Sequence, residues 1–260
     1  MMQKAKSGGG TGVAAGRTVE TASAAKSLKS ILGLTSEPVA VKFFEAVVPL
    51  AGFERPTERR YCQVLMGAAR EGKKYLLTAE NLSCPAAAWA LGFRPPPEKL
   101  KSGKMPADMG IFGSPAAAQR TLNAMPRLEM GKYKMVACCP LDQAPFQPDV
   151  VVLESAPEHL MWVALALLFE TGGRLEFSTA ILQATCVDGT ILPFLSQKLN
   201  ASLGCYGCRE ATDMSESECV LGFPFKDMET IVGSLRKLHL QAIPRVRSKA
   251  VYKALTTRPA

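Results

Sequence analysis

Cysteine is the residue type in this chain best suited to chemistry. There are eight: Cys62, Cys84, Cys138, Cys139, Cys186, Cys205, Cys208 and Cys219. The densest grouping is Gly204-Cys205-Tyr206-Gly207-Cys208-Arg209, in which two thiols stand three residues apart on a glycine-rich turn. That spacing lets both sulfurs reach one metal centre and also suits a redox dithiol. Arg209 beside them would favour the thiolate. A tight turn with two incidental thiols is the plain alternative, and the second cysteine pair that a zinc ribbon needs is missing. Cys62 and Cys84 each fall near the start of an expected helix, where the partial positive charge of the helix N-terminus stabilises a thiolate. The Cys84-Pro85 pair also suits an iron–sulfur ligand, with proline beside it. Cys186 precedes an Asp188-Gly189 turn. Cys138 and Cys139 end an apolar strand and read as packing residues, because free cysteine is among the most buried residue types. Cys219 carries no signal.

Other chemistries are poorly served. The two histidines, His159 and His239, adjoin no nucleophile in sequence. There is no G-x-S-x-G elbow, no P-loop and no H-E-x-x-H. The formal net charge of +8 is concentrated at the ends. Lys4, Lys6, Arg17, Lys26 and Lys29 face only Glu20, and Arg245, Arg247, Lys249, Lys253 and Arg258 face no acid. Such ends read as solvated tails rather than nucleic-acid arms, since no basic stripe is interleaved with aromatics. Residues 160–169 form the most apolar run, far short of the roughly 18 residues a membrane span needs. With no apolar leader at the N-terminus and an ample core, the chain is expected to be soluble and cytoplasmic, with its thiols reduced.

The elements that must position these thiols follow from hydrophobic pattern. Residues 1–22, rich in Gly, Ala, Ser and Lys, are expected to lack regular structure, with a helix over 24–32 ended by Gly33. Strands are expected at 38–44, 75–78, 133–138, 150–154 and 223–225, and helices at 58–70, 86–91, 115–124, 157–169 and 228–238. Residues 94–106 read as a proline-rich surface loop, 190–199 as helical despite Pro193, and 241–260 as a basic extension. This composes an α/β (or α+β) chain: one compact domain over 23–240 with a mixed sheet flanked by helices.

Several separated motifs together resemble a known family. Pro38-Val39-Ala40-Val41-Lys42, Tyr61-Cys62-Gln63, Leu77-Thr78-Ala79-Glu80 through Cys84, and Ala90-Leu91-Gly92 resemble the first half of the domain-of-unknown-function 169 family. Pro140-Leu141, Pro148-Asp149-Val150-Val151 and Pro157-Glu158 resemble its middle, and Leu203-Gly204-Cys205, Gly207 and Arg209 its C-terminal signature. The resemblance implies a single domain and no established general reaction. It further implies that Cys62, Cys84, Cys186 and Cys205 are the recurrent cysteines, with Cys208 a departure where a small polar residue is expected. From this comes the expectation that these four bind an iron–sulfur cluster of the 4Fe–4S type, Cys208 being optional. Gly204 and Gly207 would free backbone N–H groups for the sulfides, and Lys42, Arg60 and Arg209 would offset the cluster's negative charge. Electron transfer with a redox partner, or redox-assisted chemistry on a small ligand, would follow. The alternatives are a non-redox protein that binds a small molecule or partner with its cysteines packed, a zinc site built on Cys205 and Cys208, and a thiol nucleophile at Cys205.

Overall fold

The computed structural model describes residues 12–257. The first helix, α1 (Gly12–Leu32), leads into strand β1 (Val39–Phe44), α2 (Tyr61–Glu71), β2 (Tyr75–Leu77) and α3 (Pro85–Ala90). Three short helices follow, α4 (Glu98–Lys101), α5 (Lys104–Asp108) and α6 (Pro115–Ala124). Then come β3 (Met135–Pro140), β4 (Val150–Ser155) and α7 (Pro157–Leu168). A π-helix (Ala184–Ile191) runs into α8 (Leu192–Ser196), followed by β5 (Asn200–Ser202), α9 (Tyr206–Ala211), β6 (Cys219–Pro224) and α10 (Met228–Leu240). Two further helices, α11 (Ala242–Ser248) and α12 (Ala250–Thr256), complete the described residues.

The strands form one sheet in the order β2-β3-β1-β4-β6-β5. All five strand pairs are antiparallel, and parallel pairing is confined to two isolated bridges, Glu54 with Tyr75 and Arg59 with Leu82. The expected helix-flanked sheet is therefore present, in its α+β form. Strand β4 reads Val-Val-Val-Leu-Glu-Ser and is buried at every position. Side chains alternate across a strand, so it feeds two cores. Val150 and Val152 join a core with α2, α3 and the π-helix, while Val151 and Leu153 join one with α1, α7 and α10.

The same alternation sorts the cysteines. Cys138, Cys186, Cys205 and Cys208, with Cys62 and Cys84 packed against them, lie on the first face. Cys139 and Cys219 lie on the second. Of residues 1–22, expected to lack structure, 1–11 lie outside the described residues and 12–22 are helical, as their alanines favour. The supposed loop at 94–106 contains α4 and the start of α5, because Leu100 has an apolar site to fill. Strand β5 has no apolar signature and escapes pattern reading, and β6 runs longer than expected.

The site-bearing face depends on a close backbone approach. A Cβ on Gly222 of β6 would sit 1.8 Å from the carbonyl oxygen of Gly189, and one on Gly189 would sit 2.6 Å from Val220 Cγ1. Two glycines thus let the π-helix rest directly on the sheet. Gly222→Ala is expected to destabilise the fold by about 1–3 kcal/mol or more in denaturant titrations, the range for overpacking a core. Gly233→Ala, on α10 where nothing lies within 4 Å of the added carbon, is expected to stabilise by up to ~1 kcal/mol through helix propensity.

Candidate functional site

Four chain segments bring cysteines to one place. Cys62 lies in the first turn of α2, whose entry is set by Gln63 accepting from the Arg60 backbone N–H at 2.9 Å. The Gln63 side chain also donates to the carbonyl of Ala211 at 3.0 Å, fastening α2 to α9. Cys84 is the N-cap of α3, with Pro85 at the first helical position, where its missing N–H is no loss. Cys205 is the N-cap of α9, and its sulfur accepts from the Cys208 backbone N–H at 3.4 Å.

Cys186 sits on the π-helix, not before a simple turn. Gln183, just ahead of that helix, holds left-handed backbone (φ 61), unusual for a residue other than glycine. Its side chain donates to the Ala86 carbonyl at 2.7 Å, tying the π-helix to α3 beside Cys84. Single π-turns and strained backbone recur at functional sites.

Contacts join Cys62, Cys205 and Cys208, and Cys84 and Cys186 lie within electrostatic reach. Cys205 Sγ lies 3.2 Å from Cys208 Sγ, and Cys62 Sγ lies 4.0 Å from the Gly207 carbonyl. Cys208 neighbours Cys62, and Cys186 lies within electrostatic reach of Cys84, Cys205 and Cys208. Cys186, Cys205 and Cys208 are buried, while Cys62 and Cys84 are half-buried at the rim. Burial, then the neighbouring cysteines, pushes Cys186 far above an ordinary thiol. Contact with Cys208, then burial, does the same to Cys205. For Cys208, the Cys205 contact pulls down but the Cys62 contact and burial outweigh it, leaving it pushed up to about 11. As free groups these thiols stay neutral near pH 7. That opposes a nucleophilic Cys205, which would need a lowered pKa.

The residues expected to surround the site fare differently. Arg60 stays close: it feels the charges of Cys84 and Cys62 and pairs with Glu210 at 3.0 Å. Arg209 is a loop staple, donating to the carbonyls of Ser215 and Leu203 (each 2.6 Å) and Glu218 (3.0 Å). Gly204, at φ +92, makes room for it, since a Cβ there would come within 3.2 Å of the guanidinium. Gly207 lies in the first turn of α9, with its carbonyl toward Cys62. Lys42 does not belong to the site. It alternates with Val41 and Phe43, so it projects from the opposite face, where it pairs with Asp149 at 2.7 Å.

Three residues at the site escaped the sequence reading. Thr185 Oγ1 lies 2.9 Å from Cys208 Sγ and donates to Glu154 Oε1 at 3.2 Å. Glu154 is a buried acid on the cysteine face of β4, and its Oε2 has no hydrogen-bond partner among the described residues. Arg70 grips both carboxylate oxygens of Glu218 (2.9 and 2.8 Å) and pairs with Asp213 at 2.6 Å. One signal was available, because Glu154 is the lone charge in a strand that opens on four apolar residues. Among the described residues no group of three or more His, Cys, Asp or Glu side chains is arranged to hold a metal ion.

Residues 27–234 match the domain-of-unknown-function 169 family, described as "Uncharacterised ArCR", and the chain belongs to that family. A curated relative, "Uncharacterized protein MJ0308" of Methanocaldococcus jannaschii, is 32% identical over 214 residues, covering 81% of this chain and 91% of that protein. No solved structure matches the chain. No helix among the described residues is long and apolar enough to cross a membrane.

Burial raises the Glu154 carboxyl to about 7 from an ordinary 4.5, against the opposing pull of Thr185 and Arg70. Its proton is thus held more tightly in the folded than in the unfolded chain. Stability from this group is full below the unfolded value and is lost as pH rises between about 4.5 and 7. At pH 8, Glu154→Gln is expected to be more stable than the parent by up to about 3 kcal/mol, with the gap closing by pH 4.5, in urea titrations across that range.

Proposed function

We propose that the protein binds an iron–sulfur cluster of the 4Fe–4S type through Cys62, Cys84, Cys186 and Cys205. It would serve electron transfer or redox-assisted chemistry on a small molecule. The observation that carries this reading is the convergence of four cysteines, widely spaced in sequence, on one face of the sheet. Four thiolates are the usual ligand set for such a cluster, which supplies one-electron chemistry when bound. Cys62, Cys84 and Cys205 stand at helix starts, where unpaired N–H groups favour anionic sulfur. Arg60 adds a cation beside Cys62 and Cys84. Cys208 is the neutral neighbour, held by Thr185.

The raised thiol pKa values bear on the choice between roles. Neutral buried thiols suit plain packing, but a bound metal centre deprotonates its thiols outright, so they do not oppose ligation. A zinc site is less well supported. Sulfurs around one tetrahedral zinc stand about 3.8 Å apart, given a Zn–S bond near 2.3 Å. The Cys205–Cys208 pair is closer than this, and no group in the described residues closes on a single ion. A cluster binds each thiolate at a separate iron, so its four sulfurs surround a wider centre than one zinc ion.

Protein purified anaerobically is expected to carry iron and acid-labile sulfide in equal amounts and to be brown. Cys62→Ser and Cys84→Ser, at half-buried positions, should fold and lose most of the iron. Cys219→Ser, on the other face, should keep it. Zinc without sulfide would favour the zinc reading. Absence of both metals from fresh protein would leave the cysteines as packing groups in a non-redox binding protein.

A further inference from the structure

The C-terminal helices carry a feature that the cysteine site does not use. Helix α11 is docked: Ile243 is buried, and Arg247 donates to the carbonyls of Ile31 (3.4 Å) and Leu32 (2.7 Å) at the end of α1. Cations are favourable at that end of a helix. Helix α12 then turns away at Lys249, which holds left-handed backbone (φ 53), and every described residue from 248 to 257 is exposed.

What it exposes is apolar on one side and cationic on the other. Val251 (69% exposed), Tyr252 (67%) and Leu255 (64%) fall within one arc of α12, and Leu240 (79%) stands nearby in sequence at the end of α10. Lys253 lies across the helix from that arc, and Lys249, the N-cap, borders it beside Tyr252. Between α11 and α12 runs a groove of 460 Å³ that mixes Arg245 and Lys249 with Val246 and Tyr252. Residues 241–257 contain four cations and no acid. This segment lies beyond the span shared with the family.

We propose that α11 and α12 form a docking surface for anionic lipid membrane. Apolar side chains opposite a basic face are the pattern of helices that lie in the membrane interface, with Val251, Tyr252 and Leu255 entering the headgroup boundary and the lysines meeting anionic headgroups. A second copy of the chain fits less well, because a two-fold contact would bring the cations of one copy, Arg245, Lys249 and Lys253, against those of the other with no acid in the segment to answer them. Nucleic acid would answer the cations but leave the exposed aliphatics in water.

The test is flotation of the full chain with vesicles of phosphatidylcholine, with and without phosphatidylglycerol. Binding is expected only to the phosphatidylglycerol vesicles, and it should fall as salt rises. The pair Val251→Asp with Leu255→Asp, and separately Arg245→Glu with Lys253→Glu, should each weaken it at least tenfold. All four positions are exposed, so melting temperatures should match the parent. No binding to either vesicle, equal binding to both, unchanged binding in both variants, or a dimer in light scattering that the aspartates dissociate would each overturn the proposal.

Discussion

The contact of the π-helix with β6, made backbone to backbone through Gly189 and Gly222, sets the geometry of the cysteine face. With no side chains between them, the helix lies closer to the sheet than ordinary packing allows. The approach places Thr185 over Glu154 and Cys186 among the sulfurs of Cys84, Cys205 and Cys208. Gln183 then reaches across to α3, and Gln63 ties α2 to α9. Every element that carries a thiol of this group is thereby fixed relative to one sheet.

The electrostatics of that face are unusual for a core. It holds six thiols and a buried carboxyl, with Arg60 and Arg70 as cations near its edge, and both guanidinium groups are already engaged with acids. The buried thiols of Cys186, Cys205 and Cys208 therefore favour their neutral forms near pH 7, and the Glu154 carboxyl is raised to about 7, because charge there would be poorly solvated. A divalent or cluster-borne positive charge would reverse this preference for the sulfurs. A structural role alone gives no reason for three of the thiols to stand at helix starts, whereas a ligand role uses the N–H groups there.

Much of this was legible in the sequence, for definite reasons. The apolar strands at β1, β3 and β4 and the helices α2, α6, α7 and α10 carry clear periodicity, and the residues that start α3 and end α2 obey local capping rules. The sidedness of Lys42 was also there to be read: in Val39-Ala40-Val41-Lys42-Phe43 it shares a face with Ala40, away from the cysteines. The true surroundings of Arg209 were not, since they depend on a loop folding back so that three carbonyls meet one guanidinium. The π-helix was hidden because its wider turn breaks the 3.6-residue pattern, and β5 because three residues, Asn-Ala-Ser, show no alternation of apolar and polar. Convergence of the cysteines is a property of the fold: only the sheet order brings residue 62 beside residue 208.

The central claim is that Cys62, Cys84, Cys186 and Cys205 enclose an iron–sulfur centre. Anomalous diffraction at the iron edge, from crystals grown anaerobically, tests it most directly. The account predicts an iron peak bounded by the sulfurs of these four residues, with Cys208 outside its ligand shell. Sulfurs in mutual van der Waals contact, with no iron signal between them, would contradict it.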